Sequence, residues 1–233
     1  MKAVIFDVDG VIVDVRESYH RAIKETAESF LGVEVPLELI RDLKFSRAIN
    51  NDWDVTCEVI RELGGRVDYK ELVRRFTTIY RRYREREKQL IPSALFAELK
   101  RGGVPLGIVT GRPREDLHFV LDRFGLRGFF SATVDEDDIQ DKNLRKPHPF
   151  PLHLCVEMLS ADEGVYVGDS PADLEMVVGY RKLYAKPMKF VHFRKVVSLK
   201  LPADFSTEKE EELIDYLLRE VSLSPEEEQV SLP

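Results

Sequence analysis

Short, unbroken apolar runs that end abruptly in polar residues punctuate the chain. Lys2 to Phe6 (KAVIF), Leu106 to Thr110 (LGIVT) and Val165 to Gly168 (VYVG) are of this kind. A continuous apolar run of this length, without alternation, is the pattern of a strand buried on both faces. Each run gives way to a polar loop and then a helical stretch. One such helix is punctuated by Pro113 near its start and Gly125 just past its end, as helix chemistry favours. Buried strands alternating with helices predict an α/β fold with a parallel sheet and right-handed crossovers. Ligands of such sheets bind beyond the C-terminal ends of the strands. The polar residues expected there are Asp7, Asp9, Thr110 and Asp169.

Residues 15–92 read differently, as a helical module set into the α/β core of residues 1–14 and 93–233. Tyr19, Ile23, Ala27 and Phe30 recur at helical spacing, and Pro36 to Leu43 opens a second helix. Asp52 is placed to cap a third that stops at Gly64-Gly65. Asp68 with Glu71 resembles a capping arrangement before a fourth helix running to about Leu90. The arginines of that fourth helix read as a solvated face with Arg–Glu pairs, with a basic partner-binding face as the alternative. Towards the C-terminus, Lys182 to Val191 is expected to hold a final strand. Ser206 or Thr207 is expected to cap a helix through about Glu220, with Pro225 to Pro233 an acidic, frayed tail.

Composition narrows the function classes. The chain has 233 residues, a formal charge of −7 and 43% hydrophobic residues. That describes a globular protein and disfavours a nucleic-acid binder, which is usually basic. No run approaches the ~18 apolar residues of a membrane span. Met1-Lys2 passes straight into the first strand, so the start does not read as a signal peptide. Cys57 and Cys155 stand apart from any pairing or metal-ligand spacing and read as buried small side chains in a reducing cytoplasm.

The chemistry lies at the strand ends. Asp7-Val8-Asp9-Gly10 places two carboxylates two residues apart, hence on one side of an extended segment, before a glycine that permits a sharp turn. A calcium loop of the EF-hand type would need an acid or amide where Val11 stands and Glu where Ser18 stands. Gly168-Asp169-Ser170-Pro171-Ala172-Asp173 supplies a second acidic pair. Thr110-Gly111-Arg112 adds a hydroxyl and exposed backbone N–H groups, and Lys146 precedes a helix in Lys146-Pro147-His148-Pro149.

In that order these segments resemble the four motifs of the haloacid dehalogenase superfamily. The similarity covers Lys2 to Val13 and about Pro92 to Val178. The resemblance implies a Rossmann-like core under a mobile helical cap of the β-phosphoglucomutase and phosphoglycolate phosphatase type. It makes Asp7 the nucleophile and Asp9 the general acid/base, with Thr110 and Lys146 binding the transferring phosphoryl group. Mg²⁺ would be held by Asp7, the backbone carbonyl of Asp9 and Asp169, with Asp173 a ligand or a supporting partner. Gly111 and Arg112 follow as substrate-binding residues. Lys44, Arg47, Asn50, Asn51 and Trp53 are expected to read the substrate from the cap, although Trp53 reads equally well as a core aromatic.

The superfamily's dehalogenases and phosphonate-cleaving members lack the second aspartate, so Asp9 implies C–O–P chemistry. The implied activity is a phosphatase for a small phosphorylated metabolite, from a monomer or homodimer. Two alternatives stand beside it: a sugar-phosphate mutase, because Leu43-Lys44-Phe45-Ser46-Arg47 resembles a shortened β-phosphoglucomutase cap loop, and a binding protein that has lost turnover. One departure follows the fourth motif, where Met176-Val177-Val178-Gly179-Tyr180 replaces the family's small-residue run. The end of that helix is therefore expected to be rebuilt.

Overall fold

A computed structural model describes residues 1–46, 49, 51–196 and 199–222. Arg47 and Asn50, expected to read substrate, and the tail from Pro225 lie outside the described residues. Six strands form one parallel sheet: β1 (Lys2–Phe6), β4 (Leu106–Val109), β5 (Ala132–Val134), β6 (Glu163–Gly168), β7 (Met188–Phe193) and β8 (Phe205–Thr207). Their order is β5-β4-β1-β6-β7-β8. The chain thus builds outward on one side of β1 through β4 and β5, then crosses to the other side for β6, β7 and β8. That reversal beside the central strand opens a crevice at the C-terminal edge of the sheet.

Period-two alternation sorts β1 between two cores. Val4 and Phe6 pack with α5 (Ser93–Arg101), α6 (Arg114–Arg123) and α9 (Glu210–Ser222) on one face. Ala3 and Ile5 pack with α7 (Phe150–Met158) and α8 (Pro171–Tyr184) on the other. Both faces are covered, which is why β1, β4 and β6 read as unbroken apolar runs. A Cβ on Gly107 would meet Cys155 Sγ at 2.6 Å, so the bare glycine lets α7 lie close against the sheet. Cys155 is buried and Cys57 half-buried, and both are free thiols.

Four helices follow one another between β2 (Val13–Asp14) and β3 (Lys88–Gln89): α1 (Tyr19–Leu31), α2 (Leu37–Ser46), α3 (Asp52–Glu62) and α4 (Tyr69–Tyr83). The two short strands pair antiparallel, Val13 with Gln89 and Asp14 with Lys88, so the chain enters and leaves the helical segment side by side. Tyr19, Ile23, Val59 and Phe76 from this segment belong to the same apolar cluster as the sheet face. The arginines of α4 make ion pairs as expected, Arg74 and Arg75 with Glu71, and Arg81 with Glu115 of α6.

Several expectations are corrected. The fourth helix ends at Tyr83 and not near Leu90, because Glu87 turns inward and Lys88–Gln89 join the β-ribbon. The cap of α3 is Asn51 and not Asp52: its side chain accepts from the N–H groups of Trp53 and Asp54. Ser206 and Thr207 lie in β8, and the last helix begins at Glu210. Lys182 belongs to α8, so the strand after it starts only at Met188. Despite the departure after the fourth motif, α8 continues unbroken to Tyr184. Among the described residues no helix is long and apolar enough to cross a membrane.

Candidate active site

Strands β4, β1 and β6 are immediate neighbours in the sheet, and adjacent strands lie ~4.8 Å apart. The residues that follow them, Thr110, Asp7 and Asp169, are therefore brought together by strand pairing alone. Asp7 is fixed by its N–H donating to Val167 O at 2.9 Å, and Thr110 by its N–H donating to Val134 O at 3.0 Å. The tight turn after Asp7 has Gly10 at φ +75°, donating its N–H to Val13 O at 2.8 Å. A Cβ at Gly10 would sit 1.9 Å from Asp169 Oδ2. Glycine is required there twice, for the backbone conformation and for the approach of Asp169.

Lys146 arrives from the loop before α7 and is buried. Its ammonium lies 3.1 Å from Asp7 Oδ1 and 2.7 Å from Asp173 Oδ1. Asp173, in the first turn of α8, is fully buried and both its oxygens are engaged. Oδ1 accepts from Lys146 and from the Tyr166 hydroxyl at 2.9 Å, and Oδ2 from the Ser170 hydroxyl at 2.7 Å and the Asp169 N–H at 3.2 Å. Ser170 and Asp173 together form a capping box that starts α8. Asp173 thus holds both the lysine and the loop that carries Asp169.

Oxygens of Asp7, Asp169 and Asp173 lie within 4.8 Å of one another. Burial pushes the Asp7 carboxyl up to about 7, with Lys146 opposing the rise and Asp173 and Asp9 adding to it. Burial, then the charges of Asp173 and Asp7, raise Asp169 well above the ordinary carboxylate range. Burial works against the Asp173 carboxylate too, but Lys146 and its hydrogen bonds outweigh it and hold the group low. Negative charge therefore exceeds what Lys146 balances, and the donors are all oxygens. This arrangement fits a hard divalent cation, which takes carboxylate, carbonyl and water oxygens.

The cleft beside these acids, about 760 Å³ including its open mouth, is walled by both the sheet edge and the helical segment. Lys44 of α2 faces it, with its ammonium 2.8 Å from Asp52 Oδ1. Burial disfavours that charge, but Asp52, then Asp9 and Asp169, raise the Lys44 pKa above its usual value. Trp53 lines the cleft half-buried and also packs against the core cluster, so both readings of it have a basis. Asn51 reaches across to the sheet side, its amide donating to both carboxylate oxygens of Glu136 at 2.6 and 2.7 Å. Gly111 lies in the cleft wall. Arg112 lines it as well, but its guanidinium is buried and engaged with the Asp9 carboxylate at 2.6 Å.

Some site residues escaped sequence reasoning. Glu136, pushed up to about 7 by burial against the pull of Arg145, sits in an acidic run that ends β5, and that run was an available signal. Asp116, on the exposed-looking face of α6, is raised to about 6 by burial and accepts the Tyr19 hydroxyl at 3.0 Å. His20 lines the cleft and is depressed to about 3 by burial and then by Lys44. Glu87 lies in a run of alternating charges and carries no signal of its burial.

Known proteins similar to this chain in sequence or in fold are numerous. A phosphoglycolate phosphatase of Yersinia pestis is 32% identical over 182 residues, 75% of each chain. A subfamily IA hydrolase of the haloacid dehalogenase superfamily from Geobacter sulfurreducens, of known structure, is 26% identical with a TM-score of 0.64, covering 93% of this chain and 96% of that one. The CbbY protein of Rhodobacter sphaeroides, solved with phosphate bound, shares the fold at a TM-score of 0.73 and 21% identity, over 91% of this chain and 96% of its own. The model of haloacid dehalogenase-like hydrolases matches residues 1–178, which contain all four motifs and the helical insertion. The chain belongs to the haloacid dehalogenase-like hydrolase family.

Proposed function

We propose that this chain is a Mg²⁺-dependent phosphatase for a small phosphorylated metabolite, with Asp7 as the nucleophile. The observation that carries the reading is the buried Asp7–Lys146 pair, 3.1 Å apart at the end of the central strand, beside the unbalanced carboxylate of Asp169. A nucleophile next to a fixed cation can receive a phosphoryl group whose charge that cation stabilises. Asp7, Asp169 and the backbone carbonyl of Asp9 would hold Mg²⁺, which would supply further positive charge to the site. Asp173, with both oxygens engaged, orients Lys146 and the Asp169 loop.

An oxygen of Asp7 attacks phosphorus, the bond to the leaving group breaks, and the departing alkoxide takes a proton from Asp9. Water then attacks the aspartyl-phosphate and gives its proton to Asp9. The bond between Asp7 and phosphorus breaks, releasing inorganic phosphate and restoring both carboxyl groups. The Thr110 hydroxyl and the Gly111 N–H are the donors for the phosphoryl oxygens that Lys146 does not reach. General acid/base work contributes ~10²–10⁴-fold, so positioning and electrostatic stabilisation carry most of the acceleration. Residues 15–92 act as the cap, and Lys44 is its candidate contact with the leaving group.

The test is release of inorganic phosphate from para-nitrophenyl phosphate and a panel of phosphorylated metabolites with Mg²⁺. Folded, Mg²⁺-loaded protein that releases none from any of them sinks the reading. A sugar-phosphate mutase would convert a hexose phosphate to its isomer without net phosphate release, so the same assay separates the two.

A further inference from the structure

Arg112 is the largest fully buried side chain among the described residues, and its contacts run in two directions. Towards the site, its Nε donates to Asp9 Oδ1 at 2.6 Å. Away from the site, Nη1 and Nη2 each donate to a carboxylate oxygen of Glu87 at 3.2 Å, a bidentate pair with both side chains at 0% exposure. Glu87 stands immediately before β3, where the chain returns from the helical segment. It is itself held from that segment: the Ser18 hydroxyl donates to Oε1 at 2.8 Å and the Tyr80 hydroxyl at 3.1 Å. The guanidinium also lies over the Tyr19 ring, 5.0 Å from its centroid.

We infer that Arg112 is the positioning residue for Asp9, and that the cap side of the molecule, through Glu87, sets where Asp9 stands. The inference rests on the reading of Asp9 as the general acid/base. A bidentate Arg–carboxylate pair fixes direction as well as distance; with Nη1 also reaching the Tyr80 hydroxyl at 3.3 Å, Glu87 aims Nε at Asp9. Among the described residues, none hydrogen-bonds to Asp9 Oδ2. With Oδ1 tethered, Oδ2 is the oxygen free to hand a proton to the leaving group and take one from water. A buried guanidinium serving two carboxylates has no donor fork left to offer a substrate. Arg112 therefore acts through Asp9 and does not itself grip the phosphoryl group. The cap's connecting strands and the core's acid/base group form one hydrogen-bonded unit, so the rate of leaving-group protonation responds to residues far from phosphorus.

The experiment compares two substrates that differ in their need for an acid: an alkyl phosphate, whose alkoxide must be protonated, and para-nitrophenyl phosphate, whose phenolate leaves unaided. The readout is the ratio of their kcat values, with KM recorded for each. Asp9→Asn should lower the ratio by about 100-fold, the scale of general acid catalysis. Arg112→Lys should lower it about 10-fold with KM nearly unchanged, since geometry is loosened and not removed. Glu87→Gln, which keeps volume and a hydrogen-bond acceptor, should lower it in the same direction. It serves as the readout should Arg112→Lys not fold. Adding Arg112→Lys to Asp9→Asn should lower the ratio no further. A ratio unchanged in the folded variants of Arg112 and Glu87, or a raised KM with the ratio intact, would overturn the inference. If Asp9→Asn itself leaves the ratio unchanged, the assignment of Asp9 has failed first and the role given to Arg112 falls with it.

Discussion

Replacing Gly10 with alanine should separate what the fold needs from what the site needs. At φ +75° an alanine pays a backbone penalty of about 1–2 kcal/mol. For a chain of this size that lowers Tm by roughly 2–8 °C. The new methyl group would also lie 1.9 Å from Asp169 Oδ2 and 2.6 Å from its Cγ, closer than the 3.0 Å that real side chains keep. The obstacle is the far end of a side chain, so Asp169 can rotate away at little cost to stability, but its carboxylate must retreat by about 1 Å. A displacement of that size at a catalytic centre costs on the order of 100-fold in rate, or about 2.7 kcal/mol of barrier. The assay is kcat for para-nitrophenyl phosphate across a Mg²⁺ titration, with thermal unfolding measured in parallel. The expected variant is folded, slightly less stable, at least about 100-fold slower, and in need of more Mg²⁺. Wild-type kcat and Mg²⁺ requirement in Gly10→Ala would refute the placement of Asp169 in the site.

Chelation should abolish activity and Mg²⁺ restore it, and Ca²⁺ should inhibit because its looser shell disturbs the in-line geometry; full activity in excess EDTA or equal rates with the two metals would contradict this. The folded pKa of Asp7, about 7, lies above its ordinary 3.8, so the folded state holds that proton more tightly than the unfolded chain does. Stability of the metal-free protein should therefore fall as pH rises between about 4 and 7, and level off above. Tm against pH in EDTA would show it, and an upward slope through that window would refute it. Lys44→Ala should raise KM for the preferred metabolite by the equivalent of about 1.5–3 kcal/mol and flatten the preference between metabolites. An unchanged ranking would place specificity elsewhere.

The legible parts of this protein are those whose surroundings are uniform. β1, β4 and β6 are buried on both faces, so they stand out as apolar runs, and the polar residues that end them mark the site's edge. β5 and β8 hold only Ala132–Val134 and Phe205–Thr207, too short and too mixed to register as strands. The β2–β3 ribbon has two residues on each side and is a tertiary feature, set by where the chain leaves and re-enters the core. The end of α4 was hidden for a related reason. Its arginine-rich polarity runs on past Tyr83, while the break depends on Glu87 finding Arg112, a partner 25 residues away. Arg112 reads from the sequence as a substrate-binding residue, and its pairing with Asp9 and Glu87 is a fact of packing. Asn51 and Asp52 are adjacent residues of equal capping ability, and the choice fell to Asn51, whose amide can also bridge to Glu136.

The claim on which the account depends is that phosphate passes through Asp7. Rapid acid quenching of the Mg²⁺-loaded enzyme with a slowly turned-over phosphate ester, followed by borohydride reduction, converts an acyl-phosphate to the corresponding alcohol. Peptide mass spectrometry then locates it. The account predicts homoserine at Asp7, absent without substrate and absent from Asp7→Asn, with Asp9 unmodified. Turnover with no trapped residue at Asp7, or homoserine at Asp9, Asp169 or Asp173 instead, would contradict it.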